Sequence, residues 1–526
     1  MYELLRPTRW ALHLPGSLAL GLTLGVTLLA LFALLGWRQE GADWSVLNDQ
    51  WFWRVLRFSL WQALLSALLS VLLAVPVARA IALDRKLPGQ RWFLRWCLLC
   101  FVMPSLVLIT GMVALFGRSG LLTPWLGSAW NLYGLTGILL AHVFLNLPFA
   151  VRVFSFQWRT IPDTAWKVAA QLNLSTWQRF KLVEWPALRG VLPAAFGFIF
   201  LLCFNSFAVV LALGGGPRAT TIEVAIYQAL KYNFNPSEAL ILALTQLLVA
   251  GGLFALFSRL GRLTWLAPAS SGTGWLPAYR GPQKWLGRVA YGVCVVFLLA
   301  PIAALLPKAL QAQWANLPWR DLAYGMAYSI FFAVSSALLA VGLALGTLAV
   351  WRRQTGRWRR NLVESAALHH LVVPGMVLSV GLYIFFMPLI SWQQWGWVAV
   401  IVLNAMIALP FVFSQLKPGM FEYDANYRRL SSDLGLHGWA LWRRVIVPFL
   451  WPALQRALAI SFVLALGDFA VFGIFGADQW RTLPWLIYAL SGSYRLADAA
   501  LASLLLLGLS FIALSFLEKQ GRYARS

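Results

Sequence analysis

Pro104–Ser105–Leu106–Val107–Leu108, followed by Gly111, returns later in the same chain as Pro374–Gly375–Met376–Val377–Leu378, followed by Gly381. Other pairs flank this one. Ser66–Ala67–Leu68–Leu69 returns as Ser336–Ala337–Leu338–Leu339, Leu147–Pro148–Phe149 as Leu409–Pro410–Phe411, and Phe207–Ala208–Val209 as Phe469–Ala470–Val471. The segments keep their order while their spacing drifts from 270 to 262, as a deletion in a loop produces. One match between apolar stretches carries little weight, but an ordered series is the mark of a duplication.

The matched segments lie in a chain that is 60% hydrophobic and only 11% charged, whereas a soluble domain carries roughly 25% charged residues. The apolar residues gather into runs long enough to cross about 30 Å of hydrocarbon at about 1.5 Å per residue. Spans are expected near 12–36, 56–80, 94–117, 134–156, 187–212 and 237–258, and again near 287–308, 325–350, 366–388, 396–416, 453–475 and 497–517. The expected fold is an all-α polytopic membrane protein of about 12 transmembrane helices in two tandem six-helix units, 1–258 and 287–526. The stretch 259–286, with Pro268, Gly272, Gly274, Pro277 and Pro282, reads as a linker. Six spans per unit leave both copies facing the same way, about an axis along the membrane normal. A pathway then belongs at the interface between them.

Charge orients the chain. Its net charge of +24 would fit a nucleic-acid binder, but the basic residues are scattered between apolar runs instead of forming a stripe, so the expected partner is a lipid bilayer and no nucleic acid. With both termini cytoplasmic, the inner segments hold Arg79–Arg95, Arg259–Arg288, Arg352–Arg360 and the tail from Lys519 to Arg525, as the positive-inside rule requires. The outer segments and span ends, such as 213–236 and 476–496, carry similar numbers of bases (Arg54, Arg57, Arg218, Arg481) and acids (Asp49, Glu223, Asp478, Asp498). The first apolar run follows Arg6 and Arg9 and is too long for the core of a cleaved signal, so it reads as a retained span. Cys97 and Cys100 have redox or metal spacing, but sit one helical turn apart in a span with no second Cys/His pair. His369–His370 has no further ligands at suitable spacing, so no metal site is expected.

The two loops after the fourth span of each unit, 161–188 and 421–450, carry the functional signal. Leu172, Leu174, Trp177, Val183 and Pro186 align with Leu434, Leu436, Trp439, Val445 and Pro448. Both read as a short helix, a turn, then a second helix entering the membrane at proline. Here the chain resembles the permeases of bacterial ABC importers, of the type I plan, whose signature is Glu-Ala-Ala, three residues, Gly, nine residues, Ile-x-Leu-Pro. Gly435 and Pro448 keep the glycine–proline separation, as do Asn173 and Pro186. The departures are Lys167–Val168–Ala169 and Arg429–Leu430–Ser431 in place of Glu-Ala-Ala, Asn173 for the glycine and Trp185 for the Leu. Asn tolerates the left-handed turn better than most residues.

The resemblance implies that these loops couple the chain to two copies of an ATP-binding subunit, through Ala169, Ala170, Leu172, Asn173, Leu174 and Pro186 in one and Leu434, Gly435, Leu436 and Pro448 in the other. It also implies that ATP and Mg²⁺ bind on that partner and no cofactor binds here. The chain itself has no Gly-Lys pair and hence no phosphate-binding loop of that kind, so it is not expected to be an enzyme. Gly214–Gly215–Gly216–Pro217–Arg218, Glu184–Trp185–Pro186, Gly467–Asp468–Phe469 and Arg481–Thr482–Leu483–Pro484 are similar to the thiamine-importer permeases in particular. That implies thiamine or its phosphate esters as substrate, a periplasmic thiamine-binding protein as partner, and the bacterial inner membrane as location. Ferric-iron permeases share the fused plan and are the alternative.

Asp468 lies within an apolar run and is the acid to single out, since an intramembrane carboxylate is costly. It would suit a cationic substrate, with Phe207 and Phe469 adding cation–π contacts of roughly 0.5–2 kcal/mol each and Asn205 and Ser206 at the matching level of the first unit. The competing role for Asp468 is structural, as a polar tie between helices. A twelve-span secondary transporter would need more charged groups in its spans and leaves the paired loops unexplained. A membrane enzyme would need a cluster of catalytic side chains, and no span carries one.

Overall fold

The computed structural model describes residues 9–36, 44–260, 275, 279, 281–354 and 356–523. These residues are helices and connections, with no strand among them. Nine helices are long and apolar enough to cross a membrane, and twelve when each of three bent pairs counts as one span. Much of the expected linker, together with residues 1–8 and 524–526, lies outside the described residues.

The bends correct the expected spans. The run 94–117 is two helices, Gln90–Val102 and Ser105–Phe116, meeting at 104°. Its counterpart near 366–388 is Arg357–Leu371 and Gly375–Phe386, at 88°. Pro104 and Pro374 sit at the corners. Proline offers no N–H and pushes the residue before it out of the helical region, so each ends one helix and starts another. Pro76, Pro148 and Pro410 instead lie inside continuous helices, where packing against neighbouring helices tolerates the lost bond. The spans expected at 187–212 and 453–475 are also interrupted. Helices end at Phe204 and Leu466, three residues intervene, and short helices Ala208–Leu213 and Ala470–Phe475 follow.

Two segments expected as outer connections are folded into the body. Ile222–Lys231 and Leu483–Gly492 are ten-residue helices, the first mostly buried and the second half buried. Each is started the same way. The Ile222 N–H donates to Ser59 Oγ at 3.0 Å, and the Leu483 N–H donates to Ser329 Oγ at 2.8 Å. The serines lie on corresponding long helices, Gln50–Leu83 and Trp319–Arg353. A helix N-terminus has N–H groups without helical partners, and in both halves a hydroxyl from another helix meets one of them.

The first helix of each half crosses to the other half. Arg9–Gly36 packs on Trp319–Arg353 and Gly375–Phe386, while Pro282–Ala309 packs on Gln50–Leu83 and Ser105–Phe116. The repeated glycines lie at these crossings. A Cβ on Gly111 would come within 2.4 Å of the Pro301 carbonyl oxygen, and one on Gly381 within 2.3 Å of the Ala30 carbonyl oxygen. Close backbone approach through small residues is how helices associate where lipid supplies no hydrophobic contrast. On the opposite face of Gln50–Leu83, Trp61, Leu64, Leu68 and Leu72 recur at helical spacing and stay exposed, as a lipid-facing stripe does.

Candidate functional site: paired loops and an aromatic box

The two loops have one geometry. Asp163–Gln171 ends where Asn173 turns into the left-handed region at φ +46°, and Arg428–Asp433 ends where Gly435 does so at φ +67°. The Leu174 N–H reaches the Ala169 carbonyl at 3.1 Å and the Asn173 N–H the Ala170 carbonyl at 3.1 Å. In the second half, the Leu436 N–H reaches the Ser431 carbonyl at 3.0 Å and the Gly435 N–H the Ser432 carbonyl at 2.9 Å. These crossed bonds satisfy the last carbonyls of each short helix. Asn173 therefore does the work of the glycine it replaces.

Beyond the turn, Phe180–Glu184 and Trp442–Ile446 widen into π-helix, closing with Trp185 N–H to Phe180 carbonyl and Val447 N–H to Trp442 carbonyl bonds. Pro186 and Pro448 follow one residue later and cannot donate, so the widened turn fits the chain around the missing bond. In the second half the preceding helix, Trp392–Asn426, continues past the expected loop start at 421.

The exposed faces match as well. Leu172 is 66% and Leu434 67% exposed, and Trp177 is 71% and Trp439 76% exposed. Asn173, Gly435, Ala170, Pro186 and Pro448 are exposed too, Leu174 and Leu436 are half-buried, and Ala169 is buried beneath the turn. Ala169 thus anchors the loop while the leucines and tryptophans form its outer apolar surface.

What ties the loops to the bundle differs, and motif matching missed it. Glu184 is fully buried, takes Arg79 Nε at 2.6 Å and Arg79 Nη2 at 2.9 Å, and accepts Trp158 Nε1–H at 3.0 Å. The second loop is held by the Tyr423 hydroxyl donating to Ser431 Oγ at 2.9 Å, beside an Arg352–Asp424 pair at 3.0 Å. The linker residue Trp275 adds its N–H to Asp163 Oδ2 of the first loop at 3.0 Å.

Between the halves stands a box of rings with near two-fold symmetry. Phe207 stacks on Phe469 with centroids 5.7 Å apart. Phe207 also meets Tyr227 at 5.1 Å, and Phe469 meets Tyr488 at 4.9 Å. The tyrosines come from the two ten-residue helices, so the signal was present in sequence as a second repeat pair at the outer segments. The polar groups around the box are not symmetric. Asp468 accepts Asn404 Nδ2–H and the N–H groups of Val471 and Phe472, each at 3.1 Å. Its oxygens start the helix Ala470–Phe475 and tie it to Trp392–Asn426, the structural role weighed for it above. Ser206 is half-buried at the matching position of the first half. Asn205 accepts Gln246 Nε2–H at 3.2 Å, and the same nitrogen donates to Glu223. Glu223, counted above as an outer acid, is only 3% exposed.

Fold, repeat and loops together define a membrane transport subunit, and the sequence matches the family described as binding-protein-dependent transport system inner membrane component over residues 70–260 and 339–519, one stretch per half. The chain belongs to that family. It is 38% identical to the thiamine transport system permease protein ThiP of Escherichia coli, over 96% of each chain. It is 37% identical to the protein of that name in Salmonella typhimurium, over 98% of this chain and 97% of the relative. With that of Brucella abortus it shares 35% identity, over 92% of this chain and 90% of the relative.

Proposed function

We propose that this chain is the membrane pathway of an ATP-driven importer that carries thiamine and its phosphate esters across the bacterial inner membrane by alternating access. The observation that carries the coupling role is the pair of loops at 161–188 and 421–450, superposable in hydrogen bonding and in exposed apolar side chains. Each loop is a short lever with an apolar face and a rigid turn, suited to the groove of one copy of an ATP-binding subunit. Two such subunits bind ATP and Mg²⁺, and this chain binds neither. Their closure pushes both levers and rocks the halves against each other around the aromatic box. With the loops on the cytoplasmic side, both termini are cytoplasmic and a periplasmic thiamine-binding protein docks at the opposite end. There the exposed residues 215–218 and 232–235 flank the buried helix Ile222–Lys231. The substrate rests on the relatives' names, which favour thiamine over ferric iron.

The test is uptake of labelled thiamine in cells lacking their own importer, with this chain, its ATP-binding subunit and the binding protein expressed together and then each omitted. Uptake that needs all three is expected. Ferric uptake without thiamine uptake would discard the substrate, and gradient-driven uptake by this chain alone would discard the ATP-driven mechanism.

A further inference from the structure

Glu223 is an acid with no opposite charge paired to it among the described residues. It lies in the buried helix Ile222–Lys231. Its side-chain partner is the amide of Gln246. Asp468, the acid that hydropathy marks, has three N–H donors on its two oxygens. Burying an ion without an opposite charge is expensive, so with the halves closed burial favours the neutral acid, and an arriving cation is the partner that makes the carboxylate stable.

Its surroundings indicate which ligand. Tyr227 is one helical turn on from Glu223, on the same face of the helix, and its ring stands against Phe207 of the inter-half stack. Gln246 bridges Glu223 to Asn205, two residues before Phe207. The Gln246 carbonyl oxygen is buried and has no hydrogen-bond partner, so a free acceptor stands beside the carboxylate. One acid able to carry a negative charge, one acceptor and electron-rich ring faces form a site for an organic cation that also carries N–H groups. At the corresponding place in the second half stands Pro484, so the acid is single and the site lies off the two-fold axis.

We propose that Glu223 holds the positively charged ring of the substrate as it passes between the halves. The Phe207–Phe469 stack closes the space in this structure. When the halves part, the freed ring faces take the cation from the sides while Glu223 supplies its counter-charge and the Gln246 carbonyl accepts from the substrate's amino group. This inference rests on the thiamine reading, since thiamine combines a cationic thiazolium with an aminopyrimidine.

The test uses the full importer in proteoliposomes with its ATP-binding subunit and binding protein. Glu223→Gln keeps an acceptor for Gln246 but removes the charge, and Glu223→Asp keeps the charge. The expected result is a fall of about tenfold or more in thiamine uptake for Glu223→Gln, largely restored in Glu223→Asp, with both present in the membrane at wild-type amounts. Gln246→Leu is expected to lower uptake as well, by several-fold. Equal uptake by wild type and Glu223→Gln would overturn the proposal, as would equal losses in the Gln and Asp variants, which indicate a packing role. Failure of the wild-type chain to carry thiamine would instead refute the substrate reading.

Discussion

At the scale of single residues, the same backbone conformation is reached by two residue types. Asn173 and Gly435 both carry positive φ at the turn of their loops. An L-residue other than Asn or Asp in that region costs roughly 1–2 kcal/mol. Gly435→Ala is therefore expected to loosen its turn, read as faster protease cleavage between residues 428 and 446, whereas Asn173→Gly leaves cleavage of the first loop unchanged. A Gly435→Ala chain that resists protease like the wild type would show that the turn is not held by these angles. The two acids give the opposite lesson. Asp468 stood out in sequence because apolar residues surround it on both sides, and the structure gives it a capping role. Glu223 was passed over because Gly214–Gly215–Gly216–Pro217 before it and Asn233 and Asn235 after it look like a connection between spans. Hydropathy averaged along the chain sees neighbours in sequence, while the burial of Glu223 comes from helices distant in sequence.

At the scale of elements, each loop is a rigid turn presenting a matched pair of exposed side chains, Leu172 with Trp177 in one and Leu434 with Trp439 in the other. Burying a leucine contributes about 1.5–3 kcal/mol, roughly ten- to a hundredfold in affinity. Leu172→Glu and Leu434→Glu are each expected to reduce co-purification of the ATP-binding subunit by at least tenfold, with membrane insertion intact. Deletion of either loop should abolish uptake altogether. Wild-type uptake from a chain lacking both would refute coupling through them. The loops were legible because their spacing, turn residue and proline recur together. The corners at Pro104 and Pro374 were not, since prolines with similar apolar flanks run through helices at Pro148 and Pro410. Whether a proline bends or breaks a helix is decided by what packs beside it.

At the scale of the whole molecule, the duplication read from sequence is also a reciprocal exchange, in which each half borrows the other's first helix. The number of spans and the repeat followed from hydropathy and matched segments. The exchange did not, although Gly111 and Gly381 were in plain view, because a repeated glycine does not name the backbone that approaches it. Gly111→Leu and Gly381→Leu are each expected to force the crossing helices apart, at a cost of at least about 1–3 kcal/mol, read as lower thermal stability of the purified chain in detergent. Gly21→Leu, on the first helix but with open space around it, serves as the control and should melt as the wild type does. Equal stability of all three variants would show that the helices at these crossings can separate without cost.

The exchange sets a timetable for biogenesis. The first helix leaves the ribosome long before the segments around 319–386 that receive it, and at about 5–20 residues per second that interval is roughly 15–75 s. During it Arg9–Gly36 must wait in the bilayer as an orphan, within reach of membrane proteases and of foreign helices. Carrying both halves on one polypeptide removes the search for a partner: the recipient always arrives, in the right ratio and beside its donor.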